Sequence, residues 1–190
     1  MDPVWKFVVL LAVCGSVTGD SAIPMGHLQP LGGHRPPDVP IDELHTIPHP
    51  REFWDKYVKH EKAVILRGAA KNSPSFTLWT DEYLKDKYGK LEAWEPSREI
   101  GGYSEVNVHQ VDLLQHPNMA KVRWSNFTIH AGDCLYLPKS YWHQVESVGD
   151  VNLAVALLFA RLEEFDDSDC DTQKVEYTPL SDFQVSFYEV

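Results

Sequence analysis

Before Lys90 the apolar residues recur at helical spacing, and after it they alternate or gather in short runs. Phe53, Trp54, Tyr57 and Val58 make one stripe, and Pro50 suits the first turn of the helix which that stripe predicts. Ala63-Val64-Ile65-Leu66 reads as a short buried strand closed by Arg67-Gly68. A second helix is predicted after Thr80, which supplies a capping hydroxyl. Asp81 and Glu82 follow it, Lys85 and Lys87 come late, and Gly89 ends the run. Beyond Lys90 the predicted strands are 91–94, 104–108, 126–130, 134–137, 141–145 and 151–159, with a last one alternating at Phe183, Val185 and Phe187. Ala131-Gly132-Asp133 is a turn, and the run Val151–Phe159 is apolar enough to predict burial on both faces. Two helices ahead of many short strands predict a mainly β fold with N-terminal helices, a sandwich or barrel.

The ends of the chain read differently. In residues 1–19, Lys6 precedes the apolar run Phe7–Cys14 and small residues close the segment at Val17-Thr18-Gly19. That order describes a secretory signal, with cleavage expected before Asp20 and the product in the endoplasmic reticulum lumen or secreted. The apolar run is too short to span a bilayer, so no membrane association is expected after cleavage. Residues 20–48 are rich in Pro, Gly and His and predict an extended lead-in. Its His27, His34 and His45, with His49 just beyond, are expected to be solvated, a loose metal-binding tract being the alternative. Residues 161–190 form an acidic tail. There Asp167, Asp169 and Asp171 have the spacing that opens a calcium loop, but Thr172 and Thr178 stand where Gly and Glu belong.

Composition narrows the partners. The chain has 190 residues, and its 17 basic against 28 acidic side chains leave a net charge of −11. A phosphate backbone needs a basic footprint, so nucleic acid is excluded as a partner. Luminal location makes Asn126-Phe127-Thr128 a usable glycosylation sequon at Asn126, and leaves Cys134 and Cys170 either paired or free.

Two blocks together resemble the JmjC and cupin-like dioxygenases. The first runs Phe53-Trp54-Asp55-Lys56-Tyr57-Val58, Ala63–Gly68, Leu78–Leu84 and Tyr88-Gly89. The second runs Ala131-Gly132-Asp133-Cys134-Leu135-Tyr136-Leu137-Pro138, Tyr141-Trp142-His143-Gln144-Val145 and Asn152-Leu153-Ala154-Val155. The resemblance assigns a JmjC/cupin-like domain to residues 49–160. It implies a double-stranded β-helix, a jelly roll, holding Fe(II) and 2-oxoglutarate and acting on protein side chains by hydroxylation or demethylation. Two His and one carboxylate hold the iron in such proteins. The position of His143 within the second block implies that it is the second of those His.

The first His and the carboxylate come in the family as His-x-Asp or His-x-Glu, and none of the nine His here begins such a motif. The stretch between Gly89 and Gly132 is too short for the barrel's early and middle strands, and Gly101-Gly102-Tyr103 looks like a seam. The chain is therefore expected to be an incomplete jelly roll, truncated near 100–103, catalytically incomplete and inclined to self-associate. His109 and Asp112 are the weak substitutes for the absent ligands. Three residues apart, they point to opposite faces of a strand but could meet on a helix. Glu105 is a further carboxylate without a placed role, and His130 is expected to be exposed. The competing readings are a non-catalytic jelly-roll interaction module and a calcium-binding module.

Overall fold

The structure is a computed structural model that describes residues 4–11, 23–89, 104–139, 141–159, 163–166 and 168. Two three-stranded sheets carry the fold. The first holds β4 (Arg123–His130), β1 (Val4–Leu11) and β6 (Trp142–Val148), in that order. β1 is central and antiparallel to both neighbours, pairing Val4 with His130 and Val148, and Leu10 with Trp124 and Trp142. The segment expected to direct export is thus a sheet strand in the chain that retains it. The second sheet is mixed: β2 (Asp42–Leu44) runs parallel to β3 (Val64–Leu66), which runs antiparallel to β5 (Cys134–Tyr136).

β4 and β5 are consecutive yet lie in different sheets, so the chain turns a corner at Ala131-Gly132-Asp133. Gly132 sits there at φ +89°, where a Cβ would also collide with the Lys71 side chain. Ile65 of β3 packs on Phe127 and Ile129 of β4, with Ile41, Leu135, Leu137 and Tyr141 around them. This core holds the sheets face to face. The outer side of β4 has its own core, in which Trp124 packs with Val108 and Val122 against Leu31 and Met119.

The predicted helices form. α1 (Pro50–Phe53) starts on Pro50 and runs on as a wider π-helical turn through Val58, burying Tyr57 and Val58. A short α2 (Ser75–Leu78) follows. α3 (Asp81–Tyr88) is capped by the Thr80 hydroxyl, which accepts the Tyr83 N–H at 3.2 Å. Gly89 ends it in right-handed geometry at φ −63°, so its role is closeness: a Cβ would stand 2.4 Å from the Lys85 carbonyl. Among the described residues no helix is long and apolar enough to cross a membrane.

Three expectations are corrected. Ser104–Val108 is coil and turn, because the Ser104 and Asn107 side chains take the N–H groups of Val106 and His109 and offer the backbone a local alternative to a ladder. Val151–Phe159 forms no strand and is not buried: Leu157 is 80% and Leu158 98% exposed. The Pro-rich stretch is no loose lead-in. Leu31 enters the outer core, Gln29 bridges to Val111, and Asp38 binds the Trp124 N–H through its carboxylate while Asp38 and Val39 N–H groups reach the Trp124 carbonyl. Few regular hydrogen bonds are available to a Pro-rich segment, so it borrows partners from β4. The expected strands at 91–94 and 183–187 and the seam at 101–103 lie outside the described residues.

Candidate metal centre

The site begins with the alternation of β6. Register places His143 opposite Val9, whose other partner is Ser125 of β4, so His143 shares a sheet face with Ser125, Phe127 and Ile129. That is the face toward the core on β4, yet His143 is exposed. Its Nδ1 lies 3.2 Å from the Tyr141 carbonyl. A neutral ring donating there keeps Nε2 free of a proton, the form a metal ligand needs.

The substitute ligands do not join it. His109 stands on the opposite face of the sheet, its Nε2 3.0 Å from Glu146 Oε1 and 3.1 Å from Gln144 Nε2. Asp112 is engaged in its own turn, Oδ1 accepting from the N–H groups of Leu114 and Gln115, each at 2.9 Å. The Gln115 and Leu114 hydrogen bonds hold that carboxyl below its usual range. His27 Nδ1 lies 3.6 Å from it but accepts the Leu113 N–H at 3.1 Å, so that nitrogen carries no proton and the contact is no ion pair. A β-sheet therefore separates His143 from His109, and Asp112 sits in neither site. The donors present do not make a facial set of two His and a carboxylate. Among the described residues no three His, Cys, Asp or Glu side chains are grouped to hold a metal ion.

Other expected positions resolve individually. His130, His45, His49 and Glu105 are exposed. His27 and His34 are packed, contrary to expectation: His27 is 12% exposed by side chain, and both His34 ring nitrogens are buried against the Gly26 turn without a hydrogen-bond partner among the described residues. Asn126 is exposed on β4, an edge strand. Cys134 is a free thiol pushed up by burial, and Cys170, Asp167, Asp169 and Asp171 lie outside the described residues. A 60 Å³ cavity beside Tyr141, lined by Pro40, Ile41, Ala63, Ser125 and Phe127 among others, has room for a few waters but not for an organic diacid.

One cluster had no role in the sequence reading. Arg67, at the end of β3, binds Glu43 of β2 through two nitrogens at 2.8 and 2.9 Å, Asp133 at 2.6 Å and the Thr128 carbonyl of β4 at 3.0 Å. Asp133 also accepts the N–H groups of Gly68 (2.8 Å) and His130 (2.9 Å). The Gly-Asp of the second block and the Arg-Gly of the first thus lock to each other and tie the sheets at the corner. Both pairs were visible in sequence, but their contact spans 66 positions.

A family model described as "Cupin-like domain" matches residues 93–165, which hold the corner, β5 and β6. Residues 93–165 are thus similar to a cupin-like domain. The chain is similar in sequence to curated proteins over part of its length. HSPB1-associated protein 1 homolog of Danio rerio is 37% identical over 60 residues, 32% of this chain and 13% of that protein. HSPB1-associated protein 1 of Homo sapiens is 32% identical over 60 residues, 12% of its length. Jumonji C domain-containing protein 5 of Drosophila melanogaster is 33% identical over 48 residues, 25% of this chain and 12% of that protein. The match thus spans about one-eighth of each of these relatives. No solved structure matches the chain. Cupin-like JmjC proteins typically use Fe(II) and 2-oxoglutarate, and the donors among the described residues do not fit that iron.

Proposed function

We propose that this chain is an incomplete jelly roll of the JmjC type, exported to the secretory pathway, whose parent chemistry is Fe(II)- and 2-oxoglutarate-dependent oxidation of protein side chains and which is itself catalytically incomplete. The observation that carries this reading is His143: it lies on the core face of β6 within the cupin-like segment, while His109 lies across the sheet and Asp112 is bound into its own turn. A single imidazole holds Fe(II) weakly, so no turnover step is drawn through it. Succinate release from 2-oxoglutarate, with iron and ascorbate, is expected at the level of a metal-free control and unchanged by His143→Ala. Turnover abolished by His143→Ala overturns the reading and directs attention to His109 and Asp112.

Export is the other half. N-terminal sequencing of the luminal or secreted product is expected to begin at Asp20, with a glycan on Asn126 shown by its removal with an endoglycosidase. Product starting at Met1 in the cytosol defeats it. The exposed apolar segment 151–159 favours a second reading of the same module, as a surface for protein partners or further copies.

A further inference from the structure

The place that β1 fills between β4 and β6 is a strand-accepting slot, since without β1 neither neighbour has a partner in that sheet. We propose that residues 153–158 are its second occupant, folding back along β6 when the N-terminal strand leaves. Direction allows it: a chain reversing after β6 runs antiparallel to β6 and hence along the path of β1. The reversal is already begun, with Gly149 at φ +111° beside Asp150, a Gly-Asp pair suited to a hairpin connection.

Register then selects the fit. A five-residue connection over 148–152 sets Leu153 opposite Ser147, Val155 opposite Val145 and Leu157 opposite His143. These are the positions now held by Trp5, Phe7 and Val9, whose β4 partners Ile129, Phe127 and Ser125 are all buried. Leu153, Val155 and Leu157 would then line the core face, and Ala154 and Ala156 the outer one. The segment has reason to move. Its apolar side chains stand in water; beside it Asn152 Oδ1 is buried without a hydrogen-bond partner among the described residues, and the neighbouring Phe159 stacks on Tyr136 at 6.3 Å. Removal of the export segment would trigger the exchange, a consequence that rests on the proposed export; the exchange itself does not.

The test keeps the full chain and reads amide hydrogen exchange by mass spectrometry. Proline is excluded from central strands, so Val8→Pro should eject β1. The expected result is that Val8→Pro slows exchange at 153–158 at least tenfold while β4 and β6 stay protected and the chain stays monomeric. Val155→Pro alone should leave β4 and β6 unchanged, and the double variant should strip both of protection. Unchanged exchange at 153–158 in Val8→Pro overturns the proposal, as does loss of β4 and β6 protection in that single variant. Protection that appears only in a dimer also overturns it, by making a second copy the occupant.

Discussion

Asp133 shows what one side chain does at the corner. It is 7% exposed and faces the guanidinium of Arg67 together with two backbone N–H groups. Burial pushes its carboxyl up, but the His130 and Gly68 N–H groups and Arg67 outweigh that and hold it below the usual range. Asp133→Ala leaves Arg67 with Glu43 and the Thr128 carbonyl and opens the corner, so we expect a loss of about 3 kcal/mol in urea unfolding at neutral pH. A carboxyl whose folded pKa is depressed stabilises fully above its unfolded value, near 4, and loses that contribution as pH falls through the folded value. Glu43 acts in the same direction, chiefly through its hydrogen bond from Arg67. The melting temperature of the parent chain should therefore drop on acidification below about pH 4, and the drop should be smaller in Asp133→Ala. His143 was legible at this scale because a contiguous motif names it; Asp133 was legible as a turn residue but not as the partner of Arg67.

At the scale of elements, local chemistry predicts well where it is self-contained. α3 carries its signals within ten residues, from the Thr80 hydroxyl to Gly89. Thr80→Ala removes the bond to the Tyr83 N–H and costs about 1 kcal/mol, so α3 amides should exchange about fivefold faster with the rest of the chain unaffected. Equal protection in both would deny the cap its role. Strands β3, β4, β5 and β6 were likewise legible, from short apolar runs and the Gly-Asp turn. Residues 104–108 failed because Ser and Asn side chains bind nearby amides, and 151–159 failed because an apolar run reports a wish for burial, not a place to be buried.

For the whole molecule, the exposed run matters most. Six of its large side chains, from Val151 to Phe159, are more than half exposed. An apolar strip of that kind on a soluble surface promotes association. We expect the full chain to self-associate in sedimentation velocity at micromolar concentration, and Leu157→Lys with Leu158→Lys to return it towards monomer. A monomeric parent chain would show that the strip is covered. The −11 charge opposes association only weakly at physiological salt, where screening acts within about 8 Å.

Sequence by itself determined the JmjC-like motif blocks, the β-rich class with its helical prelude, the turn at Gly132-Asp133 and the lack of any His-x-Asp, because each is a statement about neighbours along the chain. Tertiary structure alone decided that the first apolar segment lies between β4 and β6, that His109 and His143 occupy opposite faces of one sheet, and that the Pro-rich stretch docks on Trp124. Those are pairings across tens of positions. A short apolar run can serve as export signal, central strand or exposed edge, and only the partners that reach it fix which of these it becomes.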